Sequence, residues 1–398
     1  MNQRTIILFE PICRGSRLQI LANTVTAIRK HSDRPIKVVT RSDFVTEHLS
    51  EVMGECRRDI EFVTAETDLG GGWIKTLTIG EMKAMLVALD RAKKNCAPAD
   101  IVFMALDEYL MPLLLHLGWI RRHFSEDRFF VIKYRVEYLL PGRCVNNWRA
   151  FLLSMLTRWV LLSMRAHLVC FDERFLSATF FGKQVAVIPD PWFGDFSPLR
   201  RNVARAKYGY HDNEFVVLTL GRQDRRKGFQ LVLENVPQLF NDVRCRLLVV
   251  GKVEPEFIES FNQLKARFTE KIVHVDRFIA EVELPDVFAS ADVFLLPYAL
   301  SFTSTSGTLP RAAASGVPVI SGSHGLVGHR VMRFGLGEVF QIENANGMLS
   351  GIAEIHAYTS AQQLKVAAAL SEFARSAHID VFEKSVGNIF ADPGSKLI

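Results

Sequence analysis

Thirteen short runs, nearly continuous in Val, Ile, Leu and Phe, recur along this chain of 398 residues, and stretches of helical length separate them. In the first half they are TIILF (5–9), IKVVT (36–40), IEFVT (60–64), IVFMAL (101–106), FFVIKY (129–134), HLVCF (167–171) and VAVIP (185–189). In the second they are FVVLTLG (215–221), CRLLVVG (245–251), KIVHV (271–275), ADVFLLP (291–297), VPVIS (317–321) and EVFQI (338–342). Runs without polar alternation mark strands covered on both faces, the condition of a parallel sheet. Alternation with helices makes βαβ units and a doubly wound α/β fold. A chain this long exceeds one hydrophobic core. The Pro-, Gly- and Asp-rich stretch PDPWFGDFSPLRRN (189–202) divides it. We therefore expect two Rossmann-like domains, 1–196 and 197–375, with a closing helix over 376–398 that packs back towards the first.

The bulk numbers exclude several classes. Apolar content of 48% and charged content of 23% are those of a folded globular protein. A net charge of +5 is small, and its basic residues are dispersed, against nucleic-acid binding. The six cysteines are scattered without a CxxC pair, which fits a reduced, cytoplasmic setting. MNQRTIILFEP has too short an apolar run for a signal peptide. The longest apolar segment, AFLLSMLTRWVLLSM, is interrupted by Arg158 and falls short of a membrane span. Because apolar residues surround it, we read a helix packed on a sheet. The alternative is a basic, aromatic helix lying in a membrane interface, a peripheral contact at the inner face of the membrane.

In open α/β sheets ligands sit beyond the carboxyl ends of the strands. After FVVLTL comes GRQDRRKG (221–228): Gly221 permits a sharp turn, Arg222 and Lys227 place two cations at the strand end, and Gly228 opens a helix. Such a pair suits a diphosphate, against the plainer reading of solvated basic residues. After ADVFLLP the chain carries five hydroxyls and a glycine over 303–308, with no carboxylate. One Ser or Thr would serve as an ordinary N-cap, so the excess points to an anion cradle formed by Ser306, Gly307 and Thr308. The third loop, DRFIAEVELPDVF (276–288), offers backbone around Arg277 and Phe278 to a planar base, with Glu283 and Leu284 starting a helix. In the first half, Asp107 and Glu108 follow IVFMAL, where one could orient an acceptor hydroxyl or simply complement a helix dipole. Gly15 follows the first strand, and Trp73 of GGGW could stack on a sugar or anchor its loop.

These pieces together resemble the retaining glycosyltransferases of family 4, which have the two-domain GT-B fold. The resemblance is strongest over 185–345: VAVIPDPWFGDFSP, VVLTLGRQDRRKGFQLVLE, RLLVVGK, IAEVELPDVFASADVFLLPY and AAASGVPVISG. It implies that Arg222 and Lys227 hold the donor diphosphate with Gly221. It assigns the base to Arg277, Phe278 and Leu284, and the sugar and diphosphate to Ser306, Gly307 and Thr308. Gly15 resembles the loop that approaches the donor phosphates from the other domain. The family's usual pair of glutamates, aligned on SGVPV, falls here on Thr303 and Arg311. That implies a variant donor site in which a Ser-Gly-Thr loop, with Arg311 beside it, replaces the acidic pair. The expected function is metal-independent transfer, with retention, from a nucleotide sugar to a glycan, lipid-linked or small-molecule acceptor, in cell-surface polysaccharide or glycoconjugate synthesis. The competing expectation is a catalytically inactive GT-B protein that binds a nucleotide or scaffolds an assembly. A nicotinamide dehydrogenase is disfavoured, since no GxGxxG follows the first strand.

Overall fold

The computed structural model describes residues 4–12, 16–42, 60–65, 77–94, 96, 98–142, 147–197, 200–344 and 346–391. Gly15 and Trp73 lie outside the described residues. Two compact units divide the chain: 1–189 with 380–398, and 190–379. The chain thus passes from one unit to the other twice, at Pro189–Asp190 and at Ile379–Asp380.

In the first unit the strands are β1 (Ile6–Phe9), β2 (Ile36–Arg41), β3 (Ile60–Ala65), β4 (Asp100–Phe103), β5 (Arg128–Lys133) and β6 (His167–Cys170). A short antiparallel hairpin, β7 (Thr179–Phe180) and β8 (Lys183–Gln184), precedes β9 (Ala186–Val187). Two residues per strand are too few to carry a readable pattern. The main sheet runs β3-β2-β1-β4-β5-β6-β9, every pairing parallel. Its order reverses between β1 and β4. The sheet has a fixed anchor in Asp100, wholly buried at the start of β4, which accepts from Arg34 and from two nitrogens of Arg128. Arg34 also donates to Phe390 O at 2.8 Å, and Lys30 pairs with Glu383 at 2.6 Å. The helix Ile379–Ala391 is thereby tied to the first unit.

The second unit holds β10 (Phe215–Leu220), β11 (Cys245–Val250), β12 (Ile272–Val275), β13 (Val293–Leu296), β14 (Val319–Gly322) and β15 (Gly337–Phe340). All pair in parallel, in the order β12-β11-β10-β13-β14-β15. Alternate residues of each strand feed two separate cores. Val216, Leu218 and Phe294 pack on one face, and Val217, Leu247 and Leu295 on the other. Successive side chains point to opposite faces, so a strand covered twice is apolar at nearly every position, Thr219 and Ser321 being buried exceptions. That is why these runs are legible as buried parallel strands, and all thirteen fall where the sequence pattern expects them. The doubly wound fold class is borne out in both units.

The helix Trp148–Met164 departs from the packed-helix reading. It buries Ser154, Thr157, Val160, Leu161 and Met164, and exposes Trp148, Phe151, Leu152, Met155, Trp159 and Leu162. Both of its faces are apolar, which erases the stripe from the sequence, but only one is packed.

Candidate functional site

The order of the second sheet reverses between β10 and β13, so the loops after these two strands leave in opposite directions and open a crevice at their shared end. They touch closely. Ala299 N donates to Arg226 O at 3.1 Å, and the Arg226 guanidinium lies 5.4 Å from the Phe302 ring centre. Gly228 takes φ 72°, and a Cβ there would fall 1.7 Å from Pro297 O. Only glycine lets these backbones meet.

Between them lies Lys227. Its ammonium donates to Leu220 O at 3.0 Å and stands 5.5 Å from the Tyr298 ring centre. It also sits over Gly221, where a Cβ would come within 2.9 Å of Nζ. Among the described residues Leu220 O is its one hydrogen-bond acceptor and no carboxylate pairs with it, so two of its three donors are unspent. Asp224 fixes the loop instead, accepting from Lys227 N at 2.8 Å. Arg222, on the same loop, is half-exposed and its guanidinium pairs with Glu254.

The hydroxyl loop is not an N-cap: Gly307 occupies the cap position of the helix Thr308–Ala314 and no side chain caps it. Its hydroxyls hold the loop together. Ser306 Oγ bonds Tyr298 OH at 2.8 Å and Thr308 Oγ1 at 2.9 Å, while Thr305 donates to Asp190 at 2.6 Å and accepts from Arg330 at 2.9 Å. Arg311, nearly buried, donates to Gly307 O at 2.6 Å and to Glu281 at 2.9 Å. Carboxylates therefore do reach this loop, but from distant segments. Asp190 comes from the PDP stretch and Glu281 from the loop after β12, and neither carries a local signal of the role. Burial pushes the Asp190 carboxyl above the usual carboxylate range, opposed by the Thr305 hydroxyl and the Arg330 and Arg311 cations. Arg311 is a tie between two loops rather than a stand-in for an acid.

The third loop is partly as expected. Arg277 grips both oxygens of Glu283 at 2.8 and 2.6 Å, leaving Phe278 projecting into solvent at 84% exposure. The Leu284 side chain belongs to the core with Val287 and Phe288, so only its backbone can face a ligand.

At the corresponding end of the first sheet, Asp107 is committed elsewhere. It accepts from Lys133 Nζ at 2.7 Å, Tyr134 N at 2.7 Å and Arg135 N at 3.3 Å, pinning the turn after β5. The unusual carboxyl here is Glu10, directly after β1 and 1% exposed. Arg17 pairs with Glu108 at 2.5 Å and lies close enough to Glu10 to favour its charge. Burial outweighs that and the Ile12 N–H bond, and the Glu10 carboxyl is pushed up from 4.5 to about 7. A single buried Glu in a strand-end loop gives no pattern in sequence. Because the folded state holds this proton more tightly, wild-type stability is full below about pH 4.5 and falls as pH rises through about 7. Glu10→Gln should remove that loss, a gain over wild type of about 3 kcal/mol at pH 8 and little at pH 5. Denaturant titration at the two pH values reads it; equal pH slopes for both proteins would refute the assignment.

Among the described residues no group of three or more acidic, His or Cys side chains could hold a metal, and Cys96, Cys170 and Cys245 are free thiols. No described helix is long and apolar enough to cross a membrane.

Two parallel α/β sheets, each with a strand-order reversal and loops gathered at it, define the GT-B class. Over nearly its whole length the chain shares this fold with solved structures. Sucrose-phosphate synthase from Thermosynechococcus elongatus is 16% identical, covering 98% of each chain with a TM-score of 0.67. HepE of Anabaena, solved with UDP and glucose, is 13% identical, covering 98% of this chain and 100% of that one, with a TM-score of 0.68. WaaG, a glycosyltransferase involved in lipopolysaccharide biosynthesis, is 13% identical over 98% and 100%, with a TM-score of 0.61. Residues 214–357 match the model of the glycosyl transferases group 1. That match lies within the second unit. A 155-residue stretch is 30% identical to mannosylfructose-phosphate synthase of Agrobacterium fabrum (strain C58), 36% of this chain and 33% of that protein's length.

Proposed function

We propose that this protein transfers a sugar from a nucleotide-diphosphate sugar to an acceptor hydroxyl, with retention of configuration. The observation that carries the reading is the Lys227 ammonium, held at the β10–β13 reversal with two donors unspent. HepE has been solved with UDP and with UDP-glucose, which supports a uridine donor. Lys227, Arg222 and the backbone of Ser306, Gly307 and Thr308 would take the two phosphates. Arg222 would exchange Glu254 for phosphate oxygen. Charge builds on the leaving diphosphate as the glycosidic bond breaks, so cations placed there act chiefly on the transition state. The acceptor hydroxyl attacks from the leaving-group face and gives its proton to the departing phosphate oxygen. The base would lie against the backbone from Arg277 to Leu284.

Tyr298, Asp190 and Glu281 are positioning residues in this scheme, fixing the hydroxyl loop through Ser306, Thr305 and Arg311. The first unit would carry the acceptor, with Glu10 and Glu108 at its strand-order reversal as the polar groups at hand. An acceptor in cell-surface glycan synthesis is in keeping with WaaG, and the cytoplasm with a nucleotide-sugar donor.

A nucleotide-binding scaffold is the second reading, favoured by Arg311 at a position where related enzymes carry an acid. Thermal unfolding with UDP-, GDP- and ADP-sugars tests the shared first step. A cognate donor at about 100 times its Kd should stabilise the fold by about 2.7 kcal/mol. Equal and negligible shifts with all three would remove both readings.

A further inference from the structure

We infer that the outer face of the helix Trp148–Met164 is a docking surface for an anionic lipid bilayer. The six exposed apolar side chains, Trp148, Phe151, Leu152, Met155, Trp159 and Leu162, fall within an arc of about 100° at 3.6 residues per turn. They make a continuous strip about 21 Å long. The opposite arc is the packed one, where Thr157 bonds Tyr138 and Ser154 takes Arg158. The arrangement is inverted relative to a soluble helix, which buries its aromatic face and exposes its hydroxyls. Trp148 and Trp159 are 70% and 55% exposed. A patch of this kind on a soluble protein marks an interaction surface.

The charge around the strip selects the partner. From Asn147 to Phe171 the chain has no Asp or Glu but carries Arg149, Arg158 and Arg165. The Arg149 guanidinium lies 5.4 Å from the Trp148 ring centre, at one end of the strip. At the other end the strip runs into a groove of about 780 Å³ lined by Trp159, Leu162, Arg121, Arg128, Arg165 and Lys183, with one acid, Asp127, that pairs with Lys93. Of the cations there, Arg128 is matched by Asp100. Burial first, then Arg165 and Arg128, hold the Lys183 ammonium below its usual range. Aromatic and aliphatic groups for the acyl boundary, rimmed by arginines for headgroup phosphates, are the chemistry of an in-plane interfacial helix. A second copy of this chain would bring like charges together across a two-fold interface. The inference does not depend on the proposed reaction.

Cosedimentation of the full chain with vesicles tests it. Phosphatidylcholine vesicles containing about one-third phosphatidylglycerol should bind the protein at least tenfold more strongly than pure phosphatidylcholine, and added salt should weaken binding. Brominated lipid should quench its tryptophan fluorescence. Trp148→Ser with Trp159→Ser should lower binding at least tenfold and Arg121→Glu with Arg149→Glu should abolish the anionic preference, with thermal unfolding unchanged because all four side chains are exposed. If either pair unfolds the protein, the lipid preference and bromine quenching of the wild type decide. Absent binding to both vesicle types would overturn the inference. So would a dimer in light scattering that Trp148→Ser with Trp159→Ser dissociates.

Discussion

Lys227→Ala is expected to lower kcat/KM for the nucleotide sugar about 100-fold or more, since it removes a cation from the charge that develops on the leaving diphosphate. The fold should tolerate it, because the ammonium's described protein partners are one carbonyl and one ring face. Lys227→Arg should not restore activity. The ammonium already fills the space over Gly221, where even a methyl carbon would come within 2.9 Å, and a planar fork needs more room. Arg222→Ala should show a loss of similar size, as its half-exposed guanidinium, paired with Glu254, can turn to phosphate. Near-wild-type turnover in both variants would mean that the diphosphate binds elsewhere.

Gly228→Ala is the second substitution of large effect, and it acts on the backbone. Gly228 combines φ 72° with a Cβ position 1.7 Å from Pro297 O, so alanine must drive apart the loops after β10 and β13. The left-handed conformation costs about 1 kcal/mol and the overpacking a further 1–3 kcal/mol. Gly209→Ala is the matched control: φ is 75° there, but nothing lies within 4 Å of the added carbon. Gly209→Ala should lose only the conformational part and keep donor binding. Gly228→Ala should lose both parts and bind donor nucleotide poorly. Equal stabilities for the two variants would show that the close approach is unimportant.

The parallel strands were legible because a strand with a core on each face, such as Phe215–Leu220, is apolar at every position but Thr219. Gly221 and Lys227 were legible because strand ends and helix starts confine what a loop can do. The acids at the hydroxyl loop were not. Asp190 lies 115 residues from Thr305, and Glu281 lies 30 from Arg311, so only folding joins them. Asp107 misled for a related reason: its place after β4 suits an acceptor, yet Lys133 and two backbone N–H groups, 26 to 28 residues away, take its oxygens. The helix Trp148–Met164 shows the limit of periodicity, since a helix apolar all round reads the same whether one face is covered or both.

Nucleoside diphosphate release from UDP-, GDP- and ADP-sugars, with and without glycan or lipid-linked acceptors, tests the proposed activity most directly. Release from one donor, stimulated by an acceptor and lost in Lys227→Ala, is the predicted result. A nucleotide that binds at the β10–β13 loops but is never released from any sugar, with any acceptor, would contradict it.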